Sequence, residues 1–337
     1  MAEQSKIEWT DHTFNPWEGC QKVAPECDNC YAEARDVRFT GGTHWGPKAP
    51  RRRTSAQNWQ KPRKWNAQAE AFHATHGRRQ RVFCASLADV FDNAVDPAWR
   101  SDLWALIREC DQLDWLLLTK RPQNMAKMLP PDWNDGWPNV WLGTSAGTQK
   151  TADQNIPHLL KTPAAIRFVS AEPMLGPVDL TAQPYLNHEG DQRDTRNALD
   201  GSGLIWAQSE CGKEEYQLHI EAKMPSLNWV ICGGESGPNA RPMHPDWAKS
   251  LRHQCEEAGT AFLFKQWGEW ATGENVPAES LKGVCADATW FGDQWDFDQT
   301  RMADPEDKWD CPADVYRIGK KAAGRMLDGC EWNEVPT

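Results

Sequence analysis

The stretch GCQKVAPECDNCYAEA (residues 19–34) crowds three cysteines into eleven positions and follows them with a tyrosine. Thiolates are ligands for soft metals, so Cys20, Cys27 and Cys30 raise the question of which metal three ligands would serve. A structural zinc site takes four protein ligands, usually as two paired half-sites. Cys27-x-x-Cys30 makes one half-site, Cys20 stands alone, and a fourth ligand would have to come from His12, His44 or Cys84. An iron–sulfur cluster on three cysteines leaves one iron open, and a substrate or cofactor can bind there. The residue types and spacing leave the cluster, zinc and unligated thiols all open.

A second set of chemically capable residues recurs with a common placement. Short apolar runs cover RVFCASLADVF (81–91), WLLLTKRP (115–122), VWLGTSAG (140–147), IRFVSAEP (166–173), NWVICGGESG (228–237) and AFLFKQWG (261–268). Their hydrophobicity is continuous, as strands buried on both faces require. Each run delivers polar residues at its C-terminal end: Ser86 and Asp89, Lys120 and Arg121, Ser145, Ser170 and Glu172, Glu235 and Ser236, Lys265 and Gln266. Helical segments lie between several of them. DPAWRSDLWALIRECDQL starts with Asp96 as N-cap and Pro97 at the first helical position, and HPDWAKSLRHQCEEAG places Pro245 near its start and Gly259 past its end. RPQNMAKML is a shorter candidate. Strand, polar loop and helix in alternation predict an α/β fold, a partial parallel (β/α) barrel whose strand-end loops build the site.

Three segments break the rhythm: a basic arm (36–80), an insertion (181–225) and an acidic, Trp-rich C-terminal extension (270–337). The barrel with its arm and insertion is expected to fill 1–269, with the extension packing on it. The net charge is −11, yet residues 48–81 hold ten Lys/Arg and one acid, Glu70. Arg51, Arg52, Arg53, Trp59, Lys61, Arg63, Lys64 and Trp65 interleave cations with aromatics, a composition suited to polynucleotide as well as to a solvated helix face. No run approaches eighteen apolar residues and the N-terminus lacks a signal-peptide pattern, so the expectation is a cytoplasmic protein with no membrane contact. Eleven scattered cysteines read as thiols in a reducing compartment. There is no HExxH, no phosphate-cradling GxxxxGK[ST] and no Ser–His–Asp order.

IEWTDHTFNPWEGCQKVAPECDNCYAEA, NWVICGGESGPNARPMHPDW, FLFKQWG and GKKAAGRMLDG, in this order, resemble a phage-associated family of radical-SAM-like proteins with a three-cysteine motif. The match covers nearly the whole chain except the insertion. The resemblance implies a [4Fe–4S] cluster on Cys20, Cys27 and Cys30, with S-adenosylmethionine on the fourth iron and an electron donor such as flavodoxin or ferredoxin. It implies cofactor contacts from Asn29 and Tyr31 near the adenine and from Ser86 and Asp89 at the methionine amino group. Lys120 or Arg121 would meet the methionine carboxylate, and Ser145 the ribose. Glu172, Glu235 and Lys265 are the candidate catalytic residues toward substrate. The spacing here is C-x6-C-x2-C where the superfamily has C-x3-C-x2-C, a change that lengthens only the first loop. A phage association implies work in an infected bacterial cell on DNA or a modified nucleotide, such as a substituent of a hypermodified pyrimidine. A radical enzyme for a small molecule or peptide, and a zinc-stabilised nucleic-acid-binding protein, are the alternatives.

Overall fold

A computed structural model describes residues 5, 7–184, 194–208, 215–220, 224–275, 283–302 and 314–336. Seven strands form one parallel sheet in sequence order: β1 (His12–Thr13), β2 (Gln80–Cys84), β3 (Leu113–Thr119), β4 (Val140–Ser145), β5 (Ile166–Ala171), β6 (Trp229–Gly233) and β7 (Ala261–Gln266). The sheet curls into a half-barrel, as the sequence pattern predicts. The six apolar runs all become strands. β1 was not anticipated, because two residues carry no periodicity; it pairs His12 with Val82 and Thr13 with Phe83.

Successive strand residues point to opposite faces, and here the two faces bury different things. The outer face joins the large core under the helices, with Val82, Cys84, Trp115, Leu117, Val230 and Cys232. The concave face is closed by a separate aromatic cluster of Trp9, Phe83, Leu116, Trp141, Phe168, Trp229, Ile231 and Leu263. Trp229 stands edge-on to Trp9 at 6.3 Å and to Trp141 at 6.0 Å. Gly143 makes the space for this plug, since a Cβ there would lie 2.3 Å from the Phe168 ring.

The helices follow their end signals. After the cysteine loop comes α1 (Tyr31–Thr40); α2 (Pro97–Glu109) begins where Asp96 accepts the Ala98 N–H at 2.8 Å. α3 (Gln149–Lys161), not anticipated because Pro157 interrupts its pattern, is capped by Thr148 through the Thr151 N–H. α4 (Pro245–Ala258) stops at Gly259 with φ +68°.

The basic arm corrects the expectation of a nucleic-acid surface. It is the crossover from β1 to β2, built as short helices Ala56–Trp59, Lys61–Ala67 and Ala69–His76. Trp59 and Trp65 are buried: Trp65 stacks on His12 at 4.1 Å and Trp59 meets Phe14 edge-on at 5.7 Å. The Arg51 side chain is 1% exposed and paired with Asp92 at 2.7 Å. Arg52 pairs with Glu18, Arg53 with Asp102 and Arg63 with Glu109. A composition of cations and aromatics cannot tell a solvent-facing patch from one whose rings serve the core and whose cations bind nearby acids. Among the described residues, only Lys61 and Lys64 of the eight arm residues lack both burial and an ion pair.

Between β5 and β6 the insertion forms an antiparallel sheet from Gln183–Pro184, Thr195–Arg196, Gly203–Gln208 and Glu215–Ile220. The extension forms another, from Trp270–Thr272, Gly283–Phe291, Gln294–Met302 and Asp314–Arg317. It packs on the barrel through Trp290, whose ring meets Trp247 of α4 at 4.9 Å. The tail then covers the free edge of β7: Phe264 N–H donates to Trp332 O (3.0 Å) and Glu334 N–H to Phe262 O (3.1 Å). Covering an edge strand removes a template for pairing with other chains. Among the described residues no helix is long and apolar enough to cross a membrane.

Candidate functional site

Stepping by two along the concave face, each strand passes from the aromatic plug to polar chemistry at its C-terminal end. Leu116 and Leu118 lead to Lys120, Trp141 and Gly143 to Ser145, Phe168 to Ser170 and Glu172, and Leu263 to Lys265. The period-two alternation of strands therefore delivers these side chains to one place. They line a cavity of about 670 Å³ together with Cys20, Cys27, Cys30, Asn29, Tyr31, Ser86, Asp89, Arg121, Glu235 and Gln266. That volume is in the ordinary range for a small-molecule or cofactor pocket.

The cysteine loop runs from the short strand Trp17–Glu18 to α1, with Cys30 at the helix N-cap. Cys27 is buried, Cys20 and Cys30 partly so, and all three are free thiols. Burial, reinforced by Asp89 and opposed by Arg121, pushes the Cys20 thiol up to about 11. Burial also raises Cys30, against the pull of the Glu33 and Ala32 N–H groups and Lys120. Among the described residues, no three His, Cys, Asp or Glu side chains lie close enough to share one metal ion. Four sulfurs on one tetrahedral zinc sit about 3.8 Å apart, given Zn–S bonds of about 2.3 Å. An iron–sulfur cube asks less, because each thiolate ligates a different iron.

Three barrel loops latch this loop in place. After β3, Arg121 reaches Cys20 Sγ at 3.4 Å and Gln21 O at 3.0 Å while bonded to Asp89 at 2.9 Å. After β4, buried Glu26 accepts Gly147 N–H (2.8 Å) and Thr151 Oγ1–H (2.6 Å), placing a carboxylate at the N-terminus of α3. After β6, Glu235 accepts from Asn29 Nδ2 (3.0 Å), Arg241 N (2.8 Å), Arg241 Nε (2.9 Å) and Arg241 Nη2 (2.7 Å). Arg241 in turn donates to Asp28 Oδ2 and Pro25 O, each at 3.0 Å. Burial pushes the Glu235 carboxyl up, but the Arg241 and Asn29 hydrogen bonds overcome it and hold it below the ordinary carboxylate range.

These contacts revise several roles expected from the sequence. Glu235 is committed to Arg241 and the cysteine loop, so it is a positioning residue. Asp89 accepts from Thr119, the Lys120 N–H and Arg121, and Arg121 is buried against it. Neither has a free charge to offer a methionine group. Lys120 remains: among the described residues it has no ion pair, and its charge acts on Cys30. Asn29 donates to Glu235 and Asn239 O, and Ser86 Oγ accepts from Asn15, while its carbonyl takes the Tyr31 hydroxyl at 2.5 Å.

The far wall keeps more open valence. Ser145, register partner of Ser170, is 1% exposed, and among the described residues its Oγ has no hydrogen-bond partner; Gln266 Oε1 is likewise buried and unpartnered there. Lys265 Nζ lies 2.8 Å from Glu172 Oε1, and Ser170 Oγ donates to Glu172 Oε2 at 3.1 Å. This pair joins β7 to the end of β5 across β6. It can do so because Gly233 has no side chain there: a Cβ would lie 2.9 Å from Glu172 Oε1. Glu26 and Arg241 were missed by sequence reasoning. Their only signal was proximity to the cysteine and GGESG motifs, which does not predict direction.

Fold and site define a partial parallel α/β barrel with a three-cysteine loop latched to the strand-end loops. The chain belongs to the family described as Protein of unknown function (DUF5131), whose model matches residues 4–336. No curated protein and no solved structure matches it.

Proposed function

We propose that this chain is a radical S-adenosylmethionine enzyme that modifies or rearranges a substituent on a nucleic-acid base, such as a hypermodified pyrimidine of phage DNA. The observation that carries the reading is the cavity itself. Three free thiols from one latched loop share it with unpartnered polar groups from the far wall. When bound, a [4Fe–4S] cluster with S-adenosylmethionine on its open iron supplies one-electron cleavage of the sulfonium and hydrogen-atom abstraction. Cys20, Cys27 and Cys30 would hold the cluster, and among the described residues no fourth cysteine or histidine lines the cavity.

The chain's own residues supply binding and orientation. Lys120, unpaired and close enough to Cys30 to act on its charge, suits the carboxylate of a ligand that reaches the cysteines. Ser145 Oγ can satisfy its missing hydrogen bond on a ligand hydroxyl. Glu172, fixed by Lys265 and Ser170, is the carboxylate on the far wall able to accept a hydrogen bond or a proton from substrate. The aromatic plug below keeps the cavity floor dry, which strengthens each polar contact. Flavodoxin or ferredoxin would fit as reductant.

Anaerobic reconstitution with iron and sulfide tests this. The expected result is about four irons per chain, as a cubane cluster requires, and deoxyadenosine from S-adenosylmethionine on reduction. Cys27→Ala should bind less iron. Stoichiometric zinc in a colourless protein that yields no deoxyadenosine would overturn the proposal.

A further inference from the structure

We propose that Lys320 and Lys321 form the contact for the phosphodiester backbone of a single-stranded nucleic-acid substrate at the rim of the cavity. This inference rests on the substrate class proposed above and names the surface that would receive it. The arm at 48–81 no longer qualifies, because its aromatics are buried and most of its arginines are paired with acids.

The segment RIGKKAAGR (317–325) holds four cations and no acid in a chain of net charge −11. Two of the four are committed. Arg317 donates to Pro238 O, and Arg325 to Asn333 and Phe264 O. Lys320 and Lys321 are exposed, and among the described residues neither has an ion-pair partner. Lys320 lines the same cavity as the three cysteines. The nearby acid Glu269, whose carboxylate sits 3.8 Å from a Cβ built on Gly319, already accepts the Gly237 N–H at 3.0 Å.

These lysines stand on a fixed ledge. Ile318 and Gly319 N–H donate to Glu269 O at 3.1 and 3.0 Å, and Trp267 N–H to Gly324 O at 3.2 Å. Trp267 Nε1 reaches Met326 O at 2.7 Å, and Ala323 is buried. Lys320 at the cavity wall and the exposed Lys321 next to it in sequence supply two cations for the phosphates of an entering strand. On the cysteine-loop side, Tyr31 lines the cavity and is 60% exposed, offering a ring for a base to stack on. Cations that track a backbone beside exposed rings are the working parts of single-strand binding. Chemistry on a base inside this cavity requires that the base come from a single strand or be flipped out of its duplex.

The test is fluorescence anisotropy of a fluorescein-labelled oligothymidylate, titrated over a range of NaCl concentrations. Proteins compared are wild type, the double variant K320A/K321A and the arm control K61A/K64A. Each phosphate contact on a single strand contributes about 0.7 to the slope of log K against log salt. K320A/K321A should therefore bind more weakly at low salt with a slope shallower by about 1.4, while K61A/K64A matches wild type. An unchanged slope in K320A/K321A overturns the inference, as does wild type that fails to bind the oligonucleotide. Iron content and deoxyadenosine yield, measured on the same preparations, separate this failure from failure of the radical reading. Both substituted lysines are exposed, so a matching melting temperature verifies the fold.

Discussion

Replacing Arg241 by Met should release the cysteine loop without unfolding the barrel. The side chain makes four hydrogen bonds: two to Glu235 within the loop after β6, and one each to Asp28 and Pro25 O that stitch residues 25–30 to it. Glu235 is 6% exposed, so losing its cation strands a buried carboxylate. Hydrogen bonds to charged groups are each worth about 1.5–3 kcal/mol. They do not add, and Arg241 is about a third exposed, so water screens the Asp28 end. A net loss of about 2 kcal/mol is expected, which raises the open fraction of the loop roughly 30-fold. Cys27, buried in the closed loop, is the reporter. Labelling of the metal-free protein with a pyridyl disulfide, resolved by mass spectrometry, reads that opening directly. Cys27 in R241M should label roughly 30-fold faster than in wild type, while Cys255, on the buried face of α4, keeps its rate. The pH dependence has a definite sign. The folded Glu235 carboxyl lies below the ordinary value of 4.5, so its contribution is complete above that value and is lost as the pH falls through the folded one. The ratio of the R241M to the wild-type Cys27 labelling rate should therefore shrink in acid, a comparison in which the shared loss of thiolate cancels. Equal labelling of the two proteins at neutral pH would refute the latch.

Gly143→Ala should destabilise the protein by about 2 kcal/mol, because its methyl would enter the Phe168 ring inside the plug; a melting temperature equal to wild type contradicts this. Glu26→Ala should lower stability by about 1 kcal/mol or more, through loss of acceptors for Gly147 N–H and Thr151. Glu26→Gln, which keeps one oxygen, should recover most of that loss in denaturant unfolding, and no recovery would mean that size rather than the acceptor matters. In reconstituted protein, Arg121→Met removes a cation 3.4 Å from Cys20 Sγ and should lower the cluster's midpoint potential by tens of millivolts. An unchanged potential in a redox titration would show that Arg121 only holds Asp89.

The sheet was legible from the chain because buried parallel strands need continuous apolar runs, and those runs appear in the order in which the strands pair. The gathering of Lys120, Ser145, Glu172 and Lys265 was legible for the same reason: each stands at the end of such a run. β1 was invisible because two residues carry no pattern, and α3 because Pro157 masks its period. What the side chains do once gathered was not legible. Asp89, Arg121 and Glu235 look like ligand-binding charges along the chain, and they are consumed by Thr119, Cys20 and Arg241 across sequence gaps that no local pattern encodes.

The basic arm shows the same division most sharply. Composition alone determined that ten cations lie between Lys48 and Arg81. Only tertiary structure decided that Arg51 meets Asp92, that Trp65 stacks on His12, and that Lys320 arrives at the cavity from the far end of the chain. Strand formation is read from neighbours in sequence, because burial of a short run depends on its own residues. Whether a charge is free depends on which opposite charge the fold brings within a few ångströms, and that partner can lie anywhere in the chain.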